Sequence, residues 1–255
     1  MAGRPQSGFN NRILEVIGHR PWPIPSAPWL MRQTWHDLLF AHWTVDAVAL
    51  RRQVPAVFEL DLYEGDAWIA VVPFRMTNVA PRGLPALPWL SAFPELNVRT
   101  YVRVGGKPGV YFFSLDAGNP VAVGIARTLF HLPYFSAAMT FEERDGWIHY
   151  DSRRTGRSAS PVGFTARYRA TIPGDAPMPG TLERFLTERY CLYTTKGADA
   201  YRLEIHHPPW NLQPAEAEIT VNTMVEAAGL VGPVTPPLLH FSTRQEVLTW
   251  GLQRV

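Results

Sequence analysis

Four residues in one short stretch carry groups that can do chemistry and stand at every second position: Glu95, Asn97, Arg99 and Tyr101. Successive side chains of a β-strand point to opposite faces, so a period of two puts all four on one face. The residues between them, Leu96, Val98, Thr100 and Val102, make the other face nearly apolar. A carboxylate, an amide, a guanidinium and a phenol form no core face unless they satisfy one another. Such a face lines a cavity or meets solvent. Lining a cavity, Arg99 is the anchor for a ligand carboxylate, which a guanidinium holds through paired hydrogen bonds. Glu95 is then the candidate acid or base, provided burial raises its pKa. Meeting solvent, the face is an ordinary one carrying a Glu95–Arg99 pair.

Other chemistry is sparse. Lys107 and Lys196 are the only lysines among 24 basic residues. Lys107 sits in the turn Gly105-Gly106-Lys107-Pro108-Gly109, which lacks the Gly-Lys-Ser/Thr order of a phosphate loop. Solvent there keeps it charged, and Lys196 beside Gly197 is no better placed, whereas an amine nucleophile needs a depressed pKa. His206 and His207 are adjacent, so a strand sends them to opposite faces. His36 and His42 are six apart, off the i, i+4 spacing of helical zinc sites. No metal site and no cofactor are expected. Ser114 has no Gly-x-Ser-x-Gly elbow around it. Arg153, Arg154 and Arg157 gather at a strand end and read as a solvated loop.

Hydrophobic residues make up 46% of the chain and charged ones 18%, enough for a sizeable core. The net charge of +2 comes with no Lys/Arg run, which leaves no case for nucleic acid or an anionic membrane as partner. The single cysteine, Cys191, allows no intrachain disulfide. No apolar leader follows the polar first ten residues and no run approaches the roughly 20 apolar residues of a membrane span, so a cytoplasmic protein is expected.

The elements that must hold the site are mostly strands. Prolines at 21, 23, 25 and 28 predict a flexible segment over residues 1–28, ahead of a single domain over 29–255. Trp35, Leu38, Leu39 and Trp43 give a helical stripe capped by Thr34, and a second short helix spans Asp46 to Arg52. Phe58-Leu60-Leu62 and Ala67 to Met76, joined at Glu64-Gly65-Asp66, read as a hairpin. Four prolines make Pro81 to Pro94 an irregular loop. Asn97 to Val104 and Val110 to Leu115 form a hairpin, Ala117 to His131 a helix, and Ala137 to Arg144 with Trp147 to Arg153 another hairpin. Then come a strand from Gly163 to Thr171, a helix from Leu182 to about Tyr190 and strands at Tyr201–His206 and Glu216–Asn222. A helix from Thr223 to Ala228 and a closing strand near Val247–Leu252 end the series. The fold class is mainly β with minor α: an antiparallel, closed or nearly closed β-barrel with short helices packed outside.

Three stretches carry a resemblance. Phe93 to Val102 with Gly109 to Ala117, then Glu188-Arg189-Tyr190-Cys191-Leu192-Tyr193, then Ile205-His206-His207-Pro208-Pro209-Trp210, together resemble the signature of the YqjF-like bacterial family. The resemblance runs from about residue 30 to the end. It implies the acetoacetate-decarboxylase-like superfamily, a β-barrel around a central pocket, and by analogy a homo-oligomer. Those decarboxylases carry Gly-Arg-Glu, four residues, then Pro-Lys-Lys, whose first lysine forms the Schiff base. Here Arg127 and Pro133 match, while Thr128 stands for the Glu and Tyr134 and Phe135 stand for the two lysines. Neither can form an imine. Glu95 matches the family's pocket carboxylate. The resemblance thus implies a pocket without Schiff-base decarboxylation, with Tyr134 in the nucleophile's place and Arg127 beside it.

Three functions follow. The first is a pocket, lined by Arg99, Asn97, Tyr101, Arg127 and Tyr134, that binds a small organic acid or apolar metabolite. The second is a non-covalent lyase, hydratase or isomerase, with Glu95 as acid/base and Arg99 as carboxylate anchor. The third is a structural or interaction protein whose barrel is filled by its own side chains.

Overall fold

The computed structural model describes residues 11–156, 160–172, 174, 178 and 180–255. Both sides of its first long strand are buried, and that strand is β1, Met31–Val45, where a helix is expected. Leu39, Ala41 and Trp43 enter one core cluster while Leu38 and Phe40 enter another. A strand apolar on both faces loses the period-two signal, and its apolar run then mimics a helical stripe. Asp46 caps α1, Ala47–Gln53, by accepting from Ala49 N at 2.7 Å.

β2 is only Glu59–Leu60 and pairs with β4, Phe93–Val104, rather than with β3, Ala67–Pro81. The expected hairpin shrinks to one bridge, Tyr63 to Asp66. Asp61 causes this: Arg103 and Arg189 both hold its carboxylate, and its N–H donates to the Tyr101 carbonyl at 3.0 Å. The proline-rich stretch between β3 and β4 holds a four-residue helix, α2, Pro88–Ser91. Gly105 and Gly106, with φ of 56° and 77°, turn β4 into β5, Lys107–Ala117. Two residues with positive φ are what a tight hairpin turn needs.

Asn119 caps α3, Pro120–Phe130, and His131 ends it in the left-handed conformation. β6, Tyr134–Arg144, and β7, Trp147–Arg154, then form the expected hairpin, followed by β8, Gly163–Ala170. α4, Leu182–Thr187, stops short of Tyr190, because the Glu188 carboxylate takes the Tyr190 hydroxyl and the Trp210 N–H. A strand not foreseen from sequence, β9, Cys191–Lys196, leads into β10, Asp199–His206. β11, Gln213–Asn222, α5, Met224–Ala227, and β12, Leu238–Arg254, complete the described chain.

The strands form one 12-stranded sheet in the order β10-β9-β5-β6-β7-β8-β11-β12-β1-β3-β4-β2. Further pairings, β10 with β12 and β5 with β4, link strands distant in that order. The sheet is mixed rather than antiparallel throughout: β5 runs parallel to both β6 and β9. A parallel neighbour needs a crossover, and α3 supplies it for β6. Leu96, Val98 and Val102 of β4 pack with Tyr150, Phe164 and Tyr168 from β7 and β8, as well as with α1 and α5, so this face is covered by strands as much as by helices. Residues 11–28, expected to be loose, are held down: Arg20 donates to the Ile205 carbonyl at 2.7 Å and Trp22 to Glu204 at 3.1 Å. Residues 1–10 lie outside the described residues.

Gly109 marks a close approach of β5 to β9. A Cβ there would stand 2.6 Å from the Cys191 carbonyl oxygen and 2.6 Å from the Tyr193 ring. Gly109→Ala is expected to cost about 1–3 kcal/mol, as overpacking does. Urea unfolding checks it; an unchanged midpoint would mean that β5 and β9 part freely.

Candidate functional site

β1, β3, β4 and β5 turn one face each toward a cavity of about 250 Å³. Most of its wall is apolar, including Trp35, Phe40, Phe74, Phe112 and Trp210. The sheet is therefore not filled by its own side chains. Glu95, Asn97, Arg99 and Tyr134 all line the cavity. The period-two ladder on β4 thus faces inward, and all three of its cavity residues are buried.

At one place on the wall, Tyr134 donates its hydroxyl to Glu95 Oε2 at 3.0 Å. α3's left-handed end at His131 and the Leu115–Tyr134 pairing of β5 with β6 set Tyr134 there. Burial pushes the Glu95 carboxyl up to about 8, with the nearby Asp116 charge adding to the rise and the Tyr134 hydrogen bond opposing it. Near pH 7 Glu95 is therefore mostly neutral and able to donate a hydrogen bond. Burial, then Glu95, drive the Tyr134 phenol well above its ordinary value, so it stays a donor. The Asp116 carboxylate is wholly buried and receives Arg154 Nε at 2.8 Å and Nη2 at 2.9 Å.

Elsewhere two guanidinium groups converge. Arg99 donates Nη2 to the Leu186 carbonyl at 3.2 Å and lies 5.3 Å from the Phe40 ring. It has no carboxylate partner among the described residues, and its Nε has no hydrogen bond. Arg189 pairs with Asp61 at 2.5 Å and donates Nε to the Phe185 carbonyl, but its Nη2 has no partner. Both arginines act on the same phenol, Tyr101. Between these two regions Asn97 presents an amide oxygen that has no hydrogen bond.

Not every expected residue reaches the cavity. Tyr101 shares the face of Arg99 but is sealed off, its hydroxyl donating to the Leu186 carbonyl at 2.9 Å and meeting His42 Nε2 at 2.8 Å. Arg127 is exposed on α3 and donates Nε to the Tyr134 carbonyl at 2.6 Å, holding the strand rather than a ligand. Arg154, read as part of a solvated loop, is the residue that ties Asp116; Arg157 lies outside the described residues. The Glu95–Arg99 pair does not form. Of the adjacent histidines only His207 lines the cavity, while His206 meets the Ile13 carbonyl at 2.7 Å. Among the described residues, no group of three or more His, Cys, Asp or Glu side chains is placed to hold a metal ion. Lys107 is paired with Glu204 at 3.0 Å, Lys196 is exposed, and neither lines the cavity.

Among the lining residues that sequence reading missed are Arg189 and His207. Each stands in a motif that carried the resemblance, and an arginine between Glu188 and Tyr190 was the signal available.

A model of a family described as an uncharacterized conserved protein, DUF2071, matches residues 32–246. The chain belongs to the DUF2071 family. Its likeness to a curated family relative, the uncharacterized protein YqjF of Bacillus subtilis strain 168, is 51% identity over 91% of this chain and 95% of that one. Among solved structures, this DUF2071 chain resembles acetoacetate decarboxylase from Legionella pneumophila, with a TM-score of 0.63 at 13% identity over 100% of this chain and 98% of that one. It also resembles the enduracididine biosynthesis enzyme MppR with HEPES buffer bound, with a TM-score of 0.62 at 12% identity over 90% and 88% of the two chains. These likenesses show a shared fold. No helix among the described residues is long and apolar enough to cross a membrane.

Proposed function

We propose that the twelve strands act as a nearly closed barrel whose cavity binds a small organic acid without Schiff-base chemistry. One observation carries the reading: Arg99 is buried against the cavity with no carboxylate partner among the described residues and a free Nε. A buried charge is costly unless it is paired, so a site that keeps one unpaired is complete only when an anion arrives. The apolar wall supplies the rest of the affinity. Imine formation needs an amine, and both lysines stand away from the cavity. MppR, which shares the fold, is described in complex with pyruvate, an acid.

A thermal-shift screen of wild type and Arg99→Ala against oxo, hydroxy and aromatic acids tests this. At about 100 times its Kd a ligand adds roughly 2.7 kcal/mol, or roughly 5–10 °C for a chain of this size. The shift is expected in wild type and absent in Arg99→Ala. Equal shifts in both would end the proposal.

A second reading is supported by Glu95. A neutral carboxyl pushed up to about 8 beside Tyr134 can give and regain a proton near neutrality. This suits a non-covalent lyase, hydratase or isomerase. It requires turnover of the bound acid, abolished in Glu95→Gln while binding persists.

A further inference from the structure

The two polar regions of the cavity are far apart. The Cα atoms of Glu95 and Arg99, four residues apart on one strand, stand about 13 Å apart at roughly 3.3 Å per residue, and the Arg99 guanidinium reaches away from Glu95 to the Leu186 carbonyl that the Tyr101 hydroxyl also meets. The electrostatics agree independently. Asp116 is the charge that acts on Glu95, and neither Arg99 nor Arg189 is among the groups that shift it. Both arginines instead act on Tyr101, further along the strand. A 2-oxo or 2-hydroxy acid carries its carboxylate and its second oxygen on adjacent carbons. Such a molecule touches Arg99 or Glu95, not both.

We propose, resting on the acid-binding reading above, that the cavity takes an elongated monocarboxylate of about eight to ten non-hydrogen atoms, its carboxylate on Arg99 and Arg189 and a remote oxo or hydroxy oxygen on Glu95 and Tyr134. The size follows from the volume: 250 Å³ divided by the roughly 30 Å³ that one water occupies in the liquid is about eight, and covalently bonded atoms, which sit closer than neighbouring waters, add about one or two more. The chemistry follows from the two ends. Arg99 Nε and Arg189 Nη2 are buried donors without partners and call for an anion. Glu95 accepts from Tyr134 through one oxygen and, when protonated, donates through the other, which calls for an acceptor such as a carbonyl or hydroxyl oxygen. Between them Phe40, Phe74 and Trp210 offer an apolar wall, with Asn97 as one unpartnered amide along the way. A methylene chain between two oxygenated ends meets all these demands.

The test is isothermal titration of the full chain with pyruvate, heptanoate and 6-oxoheptanoate at pH 6.5. Heptanoate is expected to bind at least tenfold more tightly than pyruvate, and 6-oxoheptanoate at least fivefold more tightly than heptanoate. Glu95→Leu is expected to erase the oxo increment, so that heptanoate then binds at least as tightly as 6-oxoheptanoate. Tyr134→Phe, which keeps the ring, is expected to reduce the same increment and serves if Glu95→Leu does not fold. Pyruvate binding as tightly as heptanoate, or an oxo increment that is absent or survives Glu95→Leu, would overturn the elongated ligand while leaving an acid-binding cavity intact. Silence from all three acids would overturn the acid-binding reading and this proposal with it.

Discussion

Asp116→Ala is expected to lower the melting temperature by roughly 6–20 °C, from a loss of about 3–5 kcal/mol. Asp116 is fully buried and takes two hydrogen-bonding nitrogens of Arg154, whose side chain is itself only 12% exposed and lies 4.0 Å from the Phe135 ring. Two charges withdrawn from water together can roughly break even, whereas deleting one leaves the other buried and alone. The lone guanidinium sets the magnitude, so Asp116→Leu with Arg154→Met is expected to recover most of the loss. Calorimetry on the three variants decides: a single variant as stable as wild type would show that Arg154 swings out to solvent at no cost.

Glu95→Gln is expected to stabilise the protein at alkaline pH and to do nothing at acid pH. The folded carboxyl titrates at about 8, while an unfolded one titrates near 4.5. Below pH 4.5 both states hold the proton, and the group is neutral to stability. Between pH 4.5 and 8 the unfolded chain releases its proton and the folded one keeps it. Stability therefore falls as pH rises, by about 1.4 kcal/mol per unit, reaching about 3–5 kcal/mol at pH 8. Glutamine still accepts the Tyr134 hydroxyl and carries no such penalty. Urea unfolding of both proteins at pH 4 and pH 8.5 measures the difference; parallel curves at both values would mean that Glu95 ionises freely in the fold. A residue that weakens its own protein in this way is usually retained for function.

The ladder on β4 was legible because one of its faces is polar and the other apolar, so the period of two survives in the sequence. β1 has no such contrast. Leu38 and Phe40 serve the cavity side while Leu39, Ala41 and Trp43 serve the main core, and a run apolar on both faces reads as a helix. β9 is six residues long and follows α4 after only three residues, so no turn signal separates it from the helix. The two parallel pairings of β5 could not be read, since hairpin signals speak only of neighbours in sequence. The site shows the same division. Glu95, Asn97 and Arg99 announce themselves locally, and so does the replacement of two lysines by Tyr134 and Phe135. Arg189 enters the cavity only because Glu188 breaks α4, and Asp116 chooses Arg154 over Arg127 only because β5, β6 and β7 lie side by side. Tyr101 has the right phase and the wrong depth, which a period cannot tell.

β12 pairs with β1, β10 and β11. Met31 therefore waits for Thr249, and Leu39 for Phe241, across nearly the whole described chain. At about 5–20 residues per second on the ribosome, the roughly 200 residues between them take about 10–40 s to make. Throughout that interval β1, apolar on both faces, has an open edge. Contacts so distant in sequence also slow folding after release, because the loop-closure entropy is lost before any pairing repays it. A fragment ending before Leu238 keeps every residue of the Glu95–Arg99 ladder and still leaves β1 and β10 without this partner. The cavity, which Thr249 of β12 helps to line, is thus completed late in the life of the chain, and a nascent copy carries the open edge of β1 until β12 arrives.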